Sequence, residues 1–264
     1  MSGKQKLAAI WGWLRGTRAR VLLYHSISDA PAAPLAVSVD QFHRQMLWLA
    51  QNGFRVISSS DLEVAIRQGL NLHRTVVLTF DDGVSDFFQT AAPILRRLGF
   101  TATVFVPTGK IGQTIHWSGQ SVPVPLMSAD QLAQIVEMGF EVGSHTVNHV
   151  SLPSADENAL EYELEASLRK VQRITGGERV AFAYPFGHAG HRERIAVMRA
   201  GYSTAYLGGG LWGNGADSDL FALTREPIVD KTLLPEFIAV VRGRYDLVRL
   251  GADIRQRGFV PGAY

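Results

Sequence analysis

Unusual polar residues follow four of the strands that the sequence predicts. They are His25, the pair Asp81 and Asp82, the pair His145 and His149, and the stretch Tyr184-Pro185-Phe186-Gly187. Two histidines spaced four apart are expected to share one face of a helical turn and to bind one ion through imidazole nitrogens. One carboxylate would complete a set of two histidines and one aspartate, with positions left open for water and substrate.

The residue types in these motifs suit the hydrolysis of an amide or an ester. A cation held by such a set would polarise a carbonyl group and lower the pKa of its bound water toward ~7. Asp81 and Asp82 are adjacent and cannot face the ion in the same way, so one would bind it and the other would act as a base. A histidine from across the site would protonate the leaving amine.

Each motif alone also has a purely structural explanation. An H-x-x-x-H pair is often a capping or surface pair, an Asp-Asp-Gly sequence often starts a helix or turn, and a lone histidine often lies in the core. Tyr184-Pro185-Phe186-Gly187 alone is typical of a turn. Only their joint occurrence at strand ends favours a functional site.

Short apolar runs alternate with amphipathic stretches along the whole chain. The predicted strands are Arg20–Tyr24, Phe54–Ile57, Thr75–Phe80, Thr101–Val106, Phe140–Gly143, Arg179–Tyr184, Tyr202–Tyr206 and Leu220–Thr224. The predicted helices are Gln41–Gln51, Ser60–Gln68, Ser85–Leu98, Ala129–Met138, Asp156–Ile174, His191–Ala200 and Leu234–Arg242. Seven or eight such units predict an α/β fold with parallel strands, and a single closed barrel fits best.

A barrel would bring the polar motifs together, because the carboxyl ends of its strands meet at one face. The alternative is a doubly wound open sheet. That architecture would place a glycine-rich dinucleotide turn after the first strand, where this chain has His25-Ser26-Ile27-Ser28.

The composition excludes several classes of protein. The chain has 264 residues, of which 46% are hydrophobic, and it contains no cysteine. The apolar content excludes disorder, and the missing cysteine excludes a thiolate metal site or a cysteine nucleophile. The formal charge is only +2, and no long basic run carries interleaved aromatics, so no nucleic-acid partner is expected.

The N-terminal segment, residues 1–19, is basic and contains Trp11 and Trp13. Its apolar part, residues 7–14, is too short to span a bilayer, and no signal-peptide cleavage site follows it. The favoured interpretation is a leading helix that packs on the barrel domain, residues 20–244, with a tail at 245–264. The alternative is a short anchor on the inner membrane face, and either way a cytoplasmic location is expected.

Three motifs resemble the signatures of the polysaccharide deacetylase family (NodB homology, carbohydrate esterase family four). Thr79-Phe80-Asp81-Asp82-Gly83 is similar to the first, His145-Thr146-Val147-Asn148-His149 to the second, and Phe182-Ala183-Tyr184-Pro185-Phe186-Gly187 to the third. The resemblance covers roughly residues 20 to 230. It implies a distorted (β/α)7 barrel, a divalent metal ion, commonly zinc with cobalt or nickel as alternatives, and hydrolysis of N-acetyl groups on amino sugars.

The resemblance also implies roles for individual residues. Asp81 would be the general base, and the metal ligands would be Asp82, His145 and His149. A metal-bound water would attack the acetamide carbonyl, and a backbone N–H near Phe186 would help to stabilise the oxyanion. Tyr184 and Pro185, from the same motif, would line the substrate site.

The chain departs from the commoner family pattern in two places. Ala183 stands where many members carry an arginine that steadies the catalytic aspartate, and Arg225 is the candidate to replace it. Many members place the acid histidine near the C-terminus, but no histidine follows His191 here. The chain instead resembles the permuted branch, which has an N-terminal Tyr-His pair, and this makes His25 the expected general acid.

The leading hypothesis is a metal-dependent enzyme that removes N-acetyl groups from an N-acetylhexosamine-containing glycan or glycolipid precursor. Trp117 would stack on a sugar ring, although it could equally be a packing tryptophan. One alternative is an amidohydrolase of the same family that acts on a small non-sugar amide or cyclic imide. A lesser alternative is a non-catalytic glycan-binding module.

Overall fold

Parallel strands alternate with helices along the chain, as the periodicity predicts. The computed structural model describes residues 17–29, 35–116, 123–210, 212–244 and 246. The strands are β1 Arg20–Tyr24, β2 Ser26–Ile27, β3 Ala36–Val37, β4 Arg55–Ile57, β5 Thr75–Phe80, β6 Thr103–Val106, β7 Thr114–Ile115, β8 Val124–Pro125, β9 Glu141–Ser144, β10 Ala181–Ala183, β11 Thr204–Tyr206 and β12 Glu226–Pro227. The α-helices are α1 Val39–Gln51, α2 Ser59–Arg67, α3 Ala92–Arg97, α4 Ala129–Glu137, α5 Glu157–Thr175, α6 His191–Ala200 and α7 Leu234–Val241.

The main sheet has the order β11-β10-β9-β6-β5-β1-β12, and its neighbouring strands pair in parallel. The sheet curls into a half-barrel surrounded by helices. Residues 220–228 run between its two ends: Leu223 forms a bridge with Tyr206 of β11, and the Ile228 amide donates to the carbonyl oxygen of Leu23 in β1. The prediction of a single distorted β/α barrel is confirmed.

The distortion is visible at β5, one edge of which is shared by two strands. β1 pairs along β5 from Val76 to Phe80. On the opposite edge, β4 pairs with residues 75–77 and β6 pairs with residues 79–80. β4 is only three residues long, so β6 takes over the edge near the carboxyl end of β5, where the polar motif begins.

Local signals explain where several helices begin. The Ser58 side chain accepts the Asp61 amide at the start of α2, and Ser128 accepts the Gln131 amide at the start of α4. Both are capping boxes, in which the side chain of the third helical residue also accepts the backbone amide of the N-cap serine. The helix predicted at 85–98 differs, because residues 87–91 form a π-helical turn before α3. Pro93 lies just after this turn and has no amide proton to continue the bonding pattern.

The strand predicted at Leu220–Thr224 is wrong. The last strand is β12, in which Glu226 is the register partner of Leu22. Before it, the Asn214 side chain donates to the carbonyl oxygen of Thr224 and accepts the Thr224 amide. A side chain thus occupies the backbone groups of Thr224, and the pairing with β11 is limited to the bridge at Leu223.

The structure describes the barrel but not the segments that flank it. Residues 7–14 and the tail beyond residue 246 lie outside the described residues. Within the described part of the chain, no helix combines the length and the apolar character needed to cross a membrane. The division into segments 1–19, 20–244 and 245–264 stays a prediction.

Candidate active site

The polar motifs meet at the carboxyl end of the sheet. His145 follows β9, and its Nε2 lies 3.7 Å from Asp82 Oδ1 and 3.8 Å from Asp81 Oδ2. His149 Nε2 lies 3.2 Å from the same Asp82 oxygen. Residues separated by more than sixty positions in the sequence are therefore side by side, as the barrel geometry predicts.

Asp82, His145 and His149, which we call the metal set, form a group that fits a divalent cation. Each offers one ligand atom, and these atoms all lie within 4.8 Å of one another. His145 Nδ1 is 2.7 Å from the carbonyl oxygen of Ala183, which can only accept a hydrogen bond. Nδ1 must therefore carry the proton, so the lone pair lies on Nε2, facing Asp82. Metal-binding histidines usually have this second contact.

Electrostatics favour the protonation states that metal binding requires at Asp82 and His145, whereas at His149 the contact with Asp82 outweighs burial and raises the pKa. Burial raises the pKa of Asp82, but its hydrogen bond with His149 and the neighbouring histidines outweigh burial and hold the pKa well below the usual range. Burial lowers the pKa of His145 to about 4. At neutral pH the first is an anion and the second is a neutral imidazole, the forms that bind a metal.

The chain turns sharply after β5, and this turn directs the side chains of Asp81 and Asp82 to different partners. Asp82 has φ 69° and Gly83 has φ 68°, both in the left-handed region. A Cβ atom on Gly83 would lie 2.8 Å from Val106 Cγ1, so this position requires glycine. The turn lets Asp82 face the histidines while Asp81 binds a different partner.

That partner is Arg225, whose side chain is 1% exposed. Its two terminal nitrogens donate to the two carboxylate oxygens of Asp81, at 2.7 and 2.8 Å, and its Nε donates to the carbonyl oxygen of Leu207 at 2.8 Å. Burial raises the pKa of Asp81, but the Arg225 guanidinium and nearby histidines outweigh it and lower the pKa. Asp81 is thus held as an anion in a fixed orientation. Position 183 contributes its backbone oxygen to His145 instead of an arginine side chain.

The spacing of His145 and His149 does not come from a helix, contrary to the prediction. Residues 145–150 have no regular secondary structure, and Thr146 and His149 have φ values of 66° and 59°. The His149 amide donates to Thr146 Oγ1 at 2.9 Å. The two imidazole rings nevertheless meet edge to face, with centroids 4.8 Å apart.

His25 lies at the end of β1 and is half-buried. The preceding residue, Tyr24, is anchored in the core: its ring stacks on Phe80 at 5.3 Å, and its hydroxyl donates to Gln45 Oε1 at 2.9 Å. His25 is close enough to both Asp81 and Asp82 to lower their pKa values. The structure therefore brings His25 to the same end of the sheet as the metal set.

The third motif contributes only one side chain to the surface of the site. Tyr184 is fully buried, and its hydroxyl donates to the carbonyl oxygen of Phe221 at 3.0 Å. Pro185 is buried too. Their side chains belong to the core, so the expectation that they line the substrate site is corrected. Phe186 is 62% exposed, and its ring centroid lies 4.9 Å from that of His149.

The remaining candidates are one tryptophan and five histidines. Trp117 lies outside the described residues. The remaining histidines of the described part of the chain have exposed side chains; they are His43, His73, His116, His188 and His191.

One residue near the metal set was missed by sequence reasoning. Glu163, on α5, is buried and accepts the backbone amides of Val147 and Asn148. The available signal was its position on the apolar stripe of α5, whose other buried residues are Leu160, Leu164, Ser167, Leu168 and Val171. A charged side chain on such a stripe is rarely buried without partners.

The chain is similar in sequence to known deacetylases. A curated Bacillus subtilis protein, whose name assigns it to the polysaccharide deacetylases, is 27% identical over 183 residues, covering 69% of this chain and 61% of that protein. A Staphylococcus aureus poly-beta-1,6-N-acetyl-D-glucosamine N-deacetylase is 23% identical over 188 residues, covering 68% of this chain and 63% of that protein. The chain thus spans about three fifths of the length of these relatives.

A solved structure shares the fold. A Streptococcus pyogenes deacetylase, solved in complex with acetate, matches with a TM-score of 0.75 and 24% identity, covering 85% of this chain and 98% of that one.

The family model described as polysaccharide deacetylase matches residues 71–205. That span contains Asp81, Asp82, His145 and His149, while His25 and Arg225 lie outside it. This chain belongs to the polysaccharide deacetylase family.

Proposed function

We propose that the protein is a metal-dependent hydrolase that removes N-acetyl groups from an N-acetylhexosamine-containing glycan or glycolipid precursor. The observation that carries the proposal is the metal set of Asp82, His145 and His149 beside a second aspartate held by Arg225. Membership of the family and the name of the Staphylococcus aureus relative support the choice of an amino sugar.

The metal set would hold a divalent ion, with zinc favoured because two imidazoles and a carboxylate suit it. When bound, such an ion supplies Lewis-acid polarisation of a carbonyl group and makes water a better nucleophile. Asp81 takes the proton of the attacking water. Arg225 holds both carboxylate oxygens in place, and each oxygen keeps a lone pair that can accept this proton. A backbone N–H near Phe186 would stabilise the developing oxyanion.

His25 is the proposed general acid, which assigns the chain to the permuted branch with an N-terminal Tyr-His pair. We expect His25→Gln to lower kcat on an N-acetylglucosamine oligomer by about 10²-fold, because the leaving amine must be protonated. The loss should be much smaller with an aryl acetate, whose leaving group departs without a proton. His43→Gln, at an exposed position, is the control. An equal loss on both substrates would refute the acid role.

The metal requirement is tested by removing and restoring the ion. We expect a chelator to stop acetate release from N-acetylglucosamine oligomers, and zinc or cobalt to restore it. The measurement is acetate released per mole of protein at matched metal content. An active preparation that shows no dependence on metal would refute the mechanism.

The same experiment separates the alternative substrates. A small acidic amide or cyclic imide would need a free cationic side chain in the site. Arg225 is committed to Asp81 and Leu207, and the exposed group beside His149 is the Phe186 ring, which favours a sugar. Turnover of a cyclic imide without acetate release from any oligomer would support the alternative. Binding of oligomers without any turnover would support a glycan-binding module.

A further inference from the structure

We propose that Glu163 is a positioning residue that holds residues 145–149, the metal loop, in the conformation that presents both histidines to one ion. The inference rests on the metal site of the proposed function. It concerns a residue that contributes no ligand atom to that site.

The metal loop needs external support because it lacks the hydrogen bonds of a helix. Thr146 and His149 have left-handed φ values, which are unfavourable for residues with a Cβ atom. Within the loop, the His149 amide donates to Thr146 Oγ1 at 2.9 Å. The amides of Val147 and Asn148, between the two histidines, point out of the loop to another element.

Glu163 is the acceptor for both of these amides. Its Oε2 lies 2.7 Å from the Val147 nitrogen and 2.9 Å from the Asn148 nitrogen, and its Oε1 accepts the Asn148 side-chain amide at 2.6 Å. The residue is 4% exposed. Both oxygens are thus used by the loop itself, which leaves Glu163 outside the metal set. Charge-assisted bonds of this kind are stronger than neutral ones.

Two carbonyl groups of the loop are held by the segment after β6. The Thr108 amide donates to the Thr146 carbonyl at 2.9 Å, and the Gly109 amide donates to the Val147 carbonyl at 2.8 Å. A Cβ atom on Gly109 would lie 2.9 Å from that carbonyl oxygen. The carbonyls of the loop are therefore fixed by this segment, and its amides are fixed by Glu163.

α5 also contacts the strand end that carries His145. The Tyr202 hydroxyl lies 3.0 Å from Ser144 Oγ, 2.8 Å from Ser167 Oγ and 2.9 Å from the carbonyl oxygen of Leu164. α5 thus anchors both the end of β9 and the middle of the metal loop. Releasing the loop alone would change the separation of the two imidazoles without moving the strand.

The test measures metal affinity directly, separately from turnover. Zinc affinity of the purified full chain is determined by competition with a chromophoric chelator, and the Co²⁺ visible spectrum reports the ligand geometry. We expect Glu163→Ala to weaken zinc binding about 10- to 100-fold, as loss of partners that orient ligands does elsewhere. The cobalt spectrum should change as well. Glu163→Gln, which keeps an acceptor oxygen, should lose less.

A matched control separates positioning from stability. Leu168→Ala removes a buried side chain from the same helix, so it should lower the Tm without changing zinc affinity. If Glu163→Ala does not fold, the comparison of Glu163→Gln with Leu168→Ala carries the test. Unchanged zinc affinity in the folded Glu163 variants, or an equal loss in Leu168→Ala, would overturn the inference. If the wild-type chain itself bound no metal, the proposed function would fail first, which is a separate result.

Discussion

Asp81→Asn is expected to lower kcat for acetate release by about 10³-fold, within the range typical of a lost general base. Asparagine has nearly the same shape as aspartate but cannot accept the proton of the attacking water. The metal set of Asp82, His145 and His149 is untouched, so zinc content should stay near one ion per chain. The measurements are steady-state kinetics and metal analysis on the same preparation.

Two outcomes would contradict the assignment of Asp81. A near-normal kcat would show that another group is the base. Loss of zinc together with activity would show that Asp81 is needed to hold the metal. Asp81 Oδ2 lies 3.8 Å from His145 Nε2, so the metal analysis tests this second role. Asp40→Asn is the control, because Asp40 is an exposed carboxylate on α1.

Arg225→Met is expected to destabilise the fold by about 3–5 kcal/mol, since removing one partner of a buried ion pair leaves the other charge uncompensated. Arg225 and Asp81 are both almost fully buried and joined by two hydrogen bonds. The free energy of unfolding, measured in denaturant at pH 7, reports this loss. Turnover should fall as well, because Asp81 would no longer be held in one orientation or kept ionised by its neighbour.

The effect of Arg225→Met should depend on pH with a definite sign. Arg225 lowers the pKa of Asp81 in the folded chain, so the pair stabilises the fold above the unfolded pKa of roughly 4. This stabilisation is lost as the pH falls through the folded pKa. The stability difference between wild type and variant should therefore shrink below about pH 4.

Two further variants test whether Arg225 and Asp81 are energetically coupled. Arg225→Lys keeps the charge but not the bidentate hydrogen bonding to Asp81. The stability of this variant should therefore lie between those of wild type and Arg225→Met. The double variant Asp81→Asn/Arg225→Met removes both charges, and it should be more stable than Arg225→Met while remaining inactive. A double variant as unstable as the sum of the two single changes would show that the pair is not coupled.

The architecture and the convergence of the polar motifs could be predicted because they depend on local patterns, whereas the choice of Asp82 over Asp81 as a ligand came from the resemblance to the family. Apolar runs indicate which segments are buried strands, and the barrel then places Asp82, His145 and His149 at one face. No local sequence pattern predicts which residue a side chain from a distant segment will contact. Arg225 was a candidate only because Ala183 stands where an arginine was expected, and Glu163 looked like one more acidic residue on a helix.

Errors in the prediction have the same origin. The spacing of His145 and His149 fits a helical turn, but tertiary hydrogen bonds to Thr108, Gly109 and Glu163 impose an irregular loop. Tyr184 stands in a turn-like motif, yet its ring packs inward because its hydroxyl finds a carbonyl partner at residue 221. In each case, a contact between segments far apart in the sequence overrides the local preference.

The closure of the sheet by residues 220–228 has a consequence for the order in which the site is assembled. The proposed metal ligands all precede residue 150, whereas Arg225 sits in the closing segment, between the bridge at Leu223 and the amide of Ile228. Arg225 is therefore the last residue of the site to be synthesised. The proposed base is oriented only when residues 220–228 have docked on the sheet, which makes this docking the step that completes the site.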